Sequence, residues 1–107
     1  MGDVTPMGNA FSMSIAEDEV KVLRKLLLRA LNQNQRLILQ SINGKHRSLN
    51  ALLEELSKKE RKSLSTLKLN ARILKELGLI EYGTKENPKP VTLTEEGRFV
   101  LKLLEGS

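Results

Sequence analysis

Apolar residues recur at spacings of three and four along much of the chain, which is the period of helices that bury one face. The first such stretch predicts a helix over residues 15–32, with three acidic residues in its first turn, where the helix dipole favours carboxylates. After the polar segment 31–35, the pattern predicts a second helix that ends at Asn43-Gly44. The segment from residue 15 to Gly44 is therefore expected to form two helices.

Two serines are placed to cap the next pair of helices. Ser48 precedes an apolar face of four leucines, and Ser63 begins a helix over residues 63–77 that is followed by a glycine. The stripe of this second helix consists of Leu64, Leu67, Ala71, Leu74 and Leu77. The intervening segment Ser57–Lys62 is polar and charged, so either the helix after Ser48 extends through Lys59 or the turn is expanded.

Two short runs rich in β-branched and aromatic residues predict a hairpin over residues 79–93. The strands are expected at Leu79–Tyr82 and Val91–Leu93, around a loop with two prolines and a glycine. Lys45–Arg47 is long enough for one further small strand. Thr94 is a suitable N-cap for a closing helix. The apolar face of that helix comprises Phe99, Val100, Leu103 and Leu104. The expected fold class is mainly α with a small β-hairpin.

Length and composition limit the organisation and the chemistry. With 107 residues, the chain is expected to form a single domain over residues 15–107, preceded by a flexible arm at residues 1–14. The absence of Cys excludes disulfides and thiolate metal sites. Neither a membrane-spanning apolar run nor a signal-peptide pattern is present, so a cytoplasmic location is expected.

The positive charge is concentrated in one part of the chain. Residues 45–75 carry nine Lys and Arg against three Asp and Glu, a net +6, whereas the whole chain has a net charge of +5. A basic segment attracts polyanions through phosphate neutralisation and counterion release. The alternative is an ordinary solvated basic surface.

Two local motifs accompany this order of elements. The helix after Ser63 contains Ser65-Thr66-Leu67, Ala71 and Leu74 before Gly78-Leu79-Ile80, and the hairpin is followed by Leu93-Thr94-Glu95-Glu96-Gly97-Arg98. Over residues 35–104 the chain resembles the winged helix-turn-helix regulators of bacteria and archaea, such as the MarR and ArsR families and their small archaeal relatives. The resemblance implies a winged helix-turn-helix with an added N-terminal helix, in which residues 63–77 form the recognition helix and residues 79–93 form the wing.

If the apolar stripe of the recognition helix points inward, its opposite side carries residues that can contact DNA. These residues are Ser65, Thr66, Lys68, Leu69 and Arg72. Lys68 and Arg72 can reach guanine O6 and N7 or phosphate, the two hydroxyls can donate to phosphate, and Leu69 can contact a thymine methyl. The alternative is a solvated helix face, because Lys and Arg are also good helix formers.

Further cations flank this helix. The run Lys58, Lys59, Arg61 and Lys62 is expected near its N-terminus, where backbone amides also favour an anion; a solvated turn is the alternative. Lys85 and Lys89 on the wing could follow the DNA backbone, although Glu86 beside them partly cancels their field.

No residue pattern points to catalysis. His46 is the only His, so it cannot form a multi-histidine metal site and is expected to pair in or beside the short strand. Tyr82 is expected to pack within the hairpin. The neighbouring pairs Glu54-Glu55 and Glu95-Glu96 point about 100° apart on a helix and do not converge as an acid and a base. We therefore expect no enzyme activity, no cofactor and no metal.

The first predicted helix carries more apolar surface than docking on a small domain requires. In related regulators an added terminal helix often forms the dimer, and the expected contacts here are Val20, Leu23, Leu27 and Leu31, with the closing helix as a second contributor. The alternative is that this helix completes the monomer core.

Three functions are compatible with these observations. The leading hypothesis is a sequence-specific transcriptional regulator that binds double-stranded DNA and represses by occupancy. No membrane is expected among its partners. The second is an architectural chromatin protein that binds duplex DNA with little sequence preference. The third is a protein–protein adaptor, for which a neutral or acidic recognition helix would be expected.

Overall fold

Five helices and one two-stranded hairpin make up the described part of the chain, residues 17–105, in a computed structural model. In chain order they are α1 (Glu17–Ala30), α2 (Gln33–Ser41), α3 (Leu49–Glu60), α4 (Leu64–Glu76), β1 (Ile80–Glu81), β2 (Thr92–Leu93) and α5 (Glu95–Leu104). The predicted class, mainly α with a small antiparallel hairpin, is confirmed. The predicted arm at residues 1–14 lies outside the described residues. Within 17–105, every helix is too short or too polar to span a bilayer.

The break between α1 and α2 is a capping box. The Asn32 side chain accepts from the backbone N–H of Gln35 at 2.8 Å, and the Gln35 side chain accepts from the backbone N–H of Asn32 at 3.1 Å. Arg36 then donates from Nη1 to the carbonyls of Leu28 and Leu31, at the end of α1. Both helix ends are thus satisfied locally. At its other end α2 stops at Ser41, before the Asn43-Gly44 that was predicted to end it.

The turn between α3 and α4 is short, because α3 extends through Glu60. Arg61 adopts the left-handed conformation (φ 53°), and its backbone N–H donates to the carbonyl of Ser57. The backbone N–H of Lys62 also donates to Ser57 O, at 3.1 Å, and the Ser57 hydroxyl donates to Lys62 O at 2.6 Å. Of the two alternatives for Ser57–Lys62, the extended helix is the correct one. Ser48 and Ser63 cap their helices as predicted.

The hairpin is shorter than the sequence indicated. Ile80 pairs with Leu93 and Glu81 with Thr92 in antiparallel register. Lys45–Arg47 forms no strand in the described structure, so the further small strand considered for this segment is absent. The tip of the hairpin is closed by local hydrogen bonds between residues 84 and 87, in which the backbone N–H of Asn87 donates to Thr84 Oγ1 at 3.1 Å.

The core lies where α2, α3, α4 and the hairpin meet. Its fully buried side chains include Ile38, Leu39, Leu52, Leu53, Leu67, Leu74, Ile80 and Val91. Two residues predicted to lie on apolar inner faces are instead exposed: Leu77 follows the end of α4 and is 57% exposed, and Phe99 is 52% exposed. Their positions on these elements turn both side chains toward solvent.

Gly97 allows α5 to approach the chain just before β1. A Cβ at this position would stand 1.9 Å from the carbonyl oxygen of Leu79, so no larger residue fits without displacement. Thr94 holds the same junction, because its hydroxyl donates to Gly78 O at 2.6 Å and accepts from the backbone N–H of Gly97 at 2.9 Å. Thr94 and Gly97 of the Leu-Thr-x-x-Gly motif therefore hold α5 against the residues that precede β1.

Candidate nucleic-acid interface

Helix α4 separates a buried face from an exposed face that carries the predicted contacts. Leu67, Ala71 and Leu74 are fully buried. The opposite face exposes Ser65, Thr66, Lys68, Leu69 and Arg72, and we call it the outer face of α4. Leu69, at its centre, is 50% exposed. The exposure predicted for these five residues is confirmed, and the face presents two cations around one leucine.

A buried amide, which sequence reasoning missed, fixes the rotation of α4. Asn70 is 5% exposed, and its Oδ1 accepts from Asn32 Nδ2 at 2.9 Å and from Gln35 Nε2 at 3.1 Å. Its own Nδ2 donates to Thr66 O at 2.9 Å. Because α2 and α4 meet through this network, the outer face has a defined orientation relative to the rest of the fold. Polar residues at positions 32, 35 and 70 within helical patterns were the available signal.

The cations of the turn lie beside the start of α4. Lys58, Lys59 and Arg61 are exposed, and Lys62 is half-buried. The Ser63 hydroxyl accepts from the backbone N–H of Thr66 at 3.5 Å and contacts the Ser65 hydroxyl at 2.9 Å. Lys58 and Arg61 make no side-chain hydrogen bond or ion pair with the described residues, and Lys59 interacts electrostatically with Glu55, so this run presents positive charge to solvent.

Tyr82 links the hairpin to α4. Lys75 Nζ lies 4.4 Å from the ring centroid of Tyr82 and donates to its carbonyl oxygen at 3.4 Å. Burial raises the pKa of the Tyr82 hydroxyl, the nearby Arg72 charge opposes this increase, and Glu76 adds to it. Tyr82 was predicted to pack within the hairpin, and it also contacts α4 through Lys75.

A groove runs between the outer face of α4 and the hairpin loop. It consists of two depressions, of about 300 and 490 Å³, that share the residues Leu49, Asn50, Tyr82 and Lys85. The second depression adds Lys68, Leu69 and Arg72, and the first adds Ser48, Gly83, Thr84, Pro88 and Lys89. We call the two together the hairpin groove. It brings three of the predicted contacts of α4, Lys68, Leu69 and Arg72, onto one surface with those of the hairpin loop, whereas Ser65, Thr66 and the cations of the turn do not line it.

His46 is placed differently from the prediction. Its Nε2 lies 2.5 Å from Glu55 Oε1 on α3, so it pairs with a helix and not with a strand. This hydrogen bond, followed by the charge interaction with His46, lowers the pKa of the Glu55 carboxyl. Within residues 17–105, no three His, Cys, Asp or Glu side chains come together as metal ligands would.

The first helix presents a second exposed surface. Leu31 is in the monomer core (4% exposed), and Val20 and Leu27 are half-buried, so three of the four predicted dimer contacts face inward to different degrees. The exposed apolar residues of α1 are Val22, Leu23, Leu26 and Leu28. At 100° per residue, the first three fall within one sector of the helix, which we call the α1 stripe, and Leu28 lies on another side.

Comparison with known proteins gives no match to any protein family, curated protein or solved structure. Function is therefore inferred from the architecture and from these surfaces.

Proposed function

We propose that this chain is a winged helix-turn-helix DNA-binding protein and acts as a transcriptional repressor by occupying its operator. The observation that carries the proposal is the outer face of α4, with Lys68 and Arg72 exposed beside the basic hairpin loop. A helix of this kind fits the major groove, and a neighbouring hairpin can contact the adjacent backbone.

The connection between α3 and α4 supports this assignment. Three residues, Arg61 to Ser63, join the two helices, which matches the compact turn of helix-turn-helix proteins. The Asn70 network holds α4 against α2 and leaves the whole outer face in solvent. Such a rigid, exposed helix can enter a groove without first rearranging.

Each contact has a chemical role in the proposal. Arg72 and Lys68 contact guanine edges or phosphates, while Ser65 and Thr66 donate to phosphate at the start of the helix. Lys58, Lys59, Arg61 and Lys62 neutralise phosphates around the turn, and Lys85 and Lys89 do so along the hairpin. Occupancy of an operator requires nothing more than this surface.

A homodimer through α1 would make the proposed regulator symmetric. Val22 and Leu26 are each 55% exposed, and Leu23 is 36% exposed, so the α1 stripe offers apolar surface to a second copy. A two-fold axis would present two copies of the outer face to successive turns of the major groove, about 34 Å apart.

One observation favours the architectural alternative. Leu69 is exposed at the centre of the outer face, where it offers no hydrogen bond to a base edge. Binding dominated by phosphate contacts would have little sequence preference. The adaptor alternative is disfavoured by the basic charge of the outer face.

The test is fluorescence anisotropy with a labelled random-sequence duplex over a series of salt concentrations. We expect micromolar binding that weakens steeply with salt, and a further loss of about tenfold or more for Lys68→Ala combined with Arg72→Ala. The matched control is Lys21→Ala with Lys25→Ala, which removes the same charge from exposed positions of α1.

The outcomes separate the three functions. Equal losses in the two double variants would mean that net charge, not the outer face of α4, drives binding. Selection from a random library that returns a defined site supports the regulator, and selection that returns none supports the architectural protein. No binding at low salt would overturn both DNA functions in favour of the adaptor.

A further inference from the structure

The hairpin groove combines a rim of cations with an apolar lining. Its rim carries four cations, namely Lys68, Arg72, Lys85 and Lys89. Between them, the side chains of Leu49, Leu69 and Tyr82 form an apolar lining, and Asn50 adds one exposed amide. No acidic residue of the described chain lines either depression.

A phosphate backbone accounts for the rim but not for the lining. Phosphate oxygens bind cations and N–H or O–H donors, whereas leucine and tyrosine side chains offer them mostly apolar surface. The flat faces of the bases in a duplex are stacked on one another and cannot reach such a lining. An unpaired base exposes its face, and proteins that bind single strands combine cations for the backbone with apolar or aromatic surface for the bases.

We propose that the hairpin groove binds an unpaired nucleotide in a locally opened DNA duplex. The base lies against Leu49, Leu69 and Tyr82, the Asn50 amide hydrogen-bonds its edge, and the four rim cations neutralise the flanking phosphates. This inference rests on the proposed DNA-binding function and adds a preference for opened over fully paired duplex.

Tyr82 is the residue on which the test depends. Lys75 Nζ lies 4.4 Å from its ring centroid, while the side chain also lines both depressions. The cation draws electron density from the ring and so favours contact with an electron-rich base. Tyr82 also stands beside Arg72, whose charge acts on its hydroxyl. A base on this ring would therefore lie within reach of a cation for its own phosphate.

The experiment compares two labelled duplexes of equal length and charge, one fully paired and one with a central unpaired bubble, by anisotropy at a single salt concentration. We expect the parent chain to bind the bubble about tenfold more tightly, the size of one base-stacking contribution. Tyr82→Leu keeps an apolar side chain but removes the ring, and it should bring the ratio of the two affinities toward one. Tyr82→Phe keeps the ring and should retain the preference.

Each result decides between the two proposals. Equal affinity of the parent for both duplexes overturns the nucleotide site and leaves the DNA-binding function standing. A bubble preference that survives Tyr82→Leu, in a variant whose circular dichroism and melting match the parent, overturns the assignment to this groove. Absence of binding to both duplexes overturns the DNA-binding function itself.

Discussion

Asn70 is the residue that connects the outer face of α4 to the rest of the molecule. Replacing it with Ala leaves Asn32 Nδ2 and Gln35 Nε2 without their shared acceptor. A buried donor without a partner costs about 1–3 kcal/mol, so we expect Asn70→Ala to lower the free energy of unfolding by about 2 kcal/mol, measured by urea denaturation. Asn50→Ala, the same change at an exposed position, should stay within about 0.5 kcal/mol of the parent. A similar small effect for Asn70→Ala would contradict the network.

The carboxyl of Glu55 provides a pH-dependent test at the same scale. Its pKa is lowered mainly by the hydrogen bond from His46, so the ionised form is favoured in the folded state. The resulting stability is present above the pKa of an unfolded Glu and is lost as the pH falls through the lowered value. We expect His46→Gln to raise the pKa of Glu55, measured by NMR titration of its side-chain carboxyl. Glu54→Gln, on the neighbouring exposed residue, is the control; an unchanged Glu55 titration in His46→Gln would contradict the pairing.

Sequence reasoning at the residue scale succeeded for exposure and failed for buried polar groups. The 3.6-residue period correctly turned Lys68, Leu69 and Arg72 outward. The same period does not predict that Asn70 is buried, because a buried amide needs hydrogen-bond partners and the period does not identify them. Those partners, Asn32 and Gln35, are more than thirty residues away in the sequence.

The turn between α3 and α4 carries the clearest prediction at the scale of elements. Arg61 holds a left-handed conformation that costs a non-glycine residue about 1 kcal/mol, so Arg61→Gly should raise the free energy of unfolding by about 0.5 kcal/mol after the added chain entropy. If Arg61 contacts a phosphate as proposed, the same variant should reduce the slope of log affinity against log salt by about one, because that contact is lost. Arg61→Ala should show the same change of slope without the gain in stability. Equal stability of the two variants would contradict the backbone explanation.

At the junction of the hairpin with α5, replacing Gly97 is expected to change stability in the direction opposite to helix propensity. Alanine is a better helix former than glycine by about 1 kcal/mol, yet Gly97→Ala would place a Cβ against the carbonyl of Leu79. We expect a loss of at least about 2 kcal/mol in the free energy of unfolding, measured by urea denaturation. Lys102→Ala, at an exposed position of the same helix, should change stability by less than about 0.5 kcal/mol. A stabilised Gly97→Ala would show that α5 can move away from Leu79.

Element boundaries followed the caps more closely than the apolar pattern. Ser48, Ser63 and Thr94 were recognisable because each satisfies backbone donors within three residues. Leu77 was misplaced because the apolar spacing continues past the residue where α4 ends. Lys45–Arg47 forms no strand in the described structure, and three residues carry too little pattern to predict one.

At the scale of the molecule, the proposed homodimer through the α1 stripe can be tested directly. Leu26→Lys places a charge in the stripe, and we expect it to convert a dimer into a monomer in sedimentation velocity and to weaken duplex binding. Leu28→Lys is the matched control, since Leu28 is also exposed but lies about 200° around the helix from Leu26. A parent chain that is monomeric at all concentrations, or a Leu28→Lys variant that alone dissociates, would contradict the assignment.

The hairpin groove could not be predicted from the sequence, although its four cations were predicted as DNA contacts. Lys68, Arg72, Lys85 and Lys89 were selected one by one, by residue type and element. These cations lie beside Leu49 and Asn50 only because α3 and the hairpin pack around α4. No local sequence pattern encodes that packing. The fold class followed from local periodicity, whereas the site depends on tertiary packing.

The orientation of α1 depends on its joint with α2 and on its packing against α5. Arg36 donates hydrogen bonds to the carbonyls at the end of α1, and Asn32, which lies beside them, donates to Asn70 on α4. With 14 residues, α1 is about 21 Å long, so a rotation of about 10° at the joint moves its far end by about 4 Å. In a symmetric pair held through α1, the distance between the two outer faces would thus depend on how firmly these hydrogen bonds and the packing of α1 against α5 hold that angle.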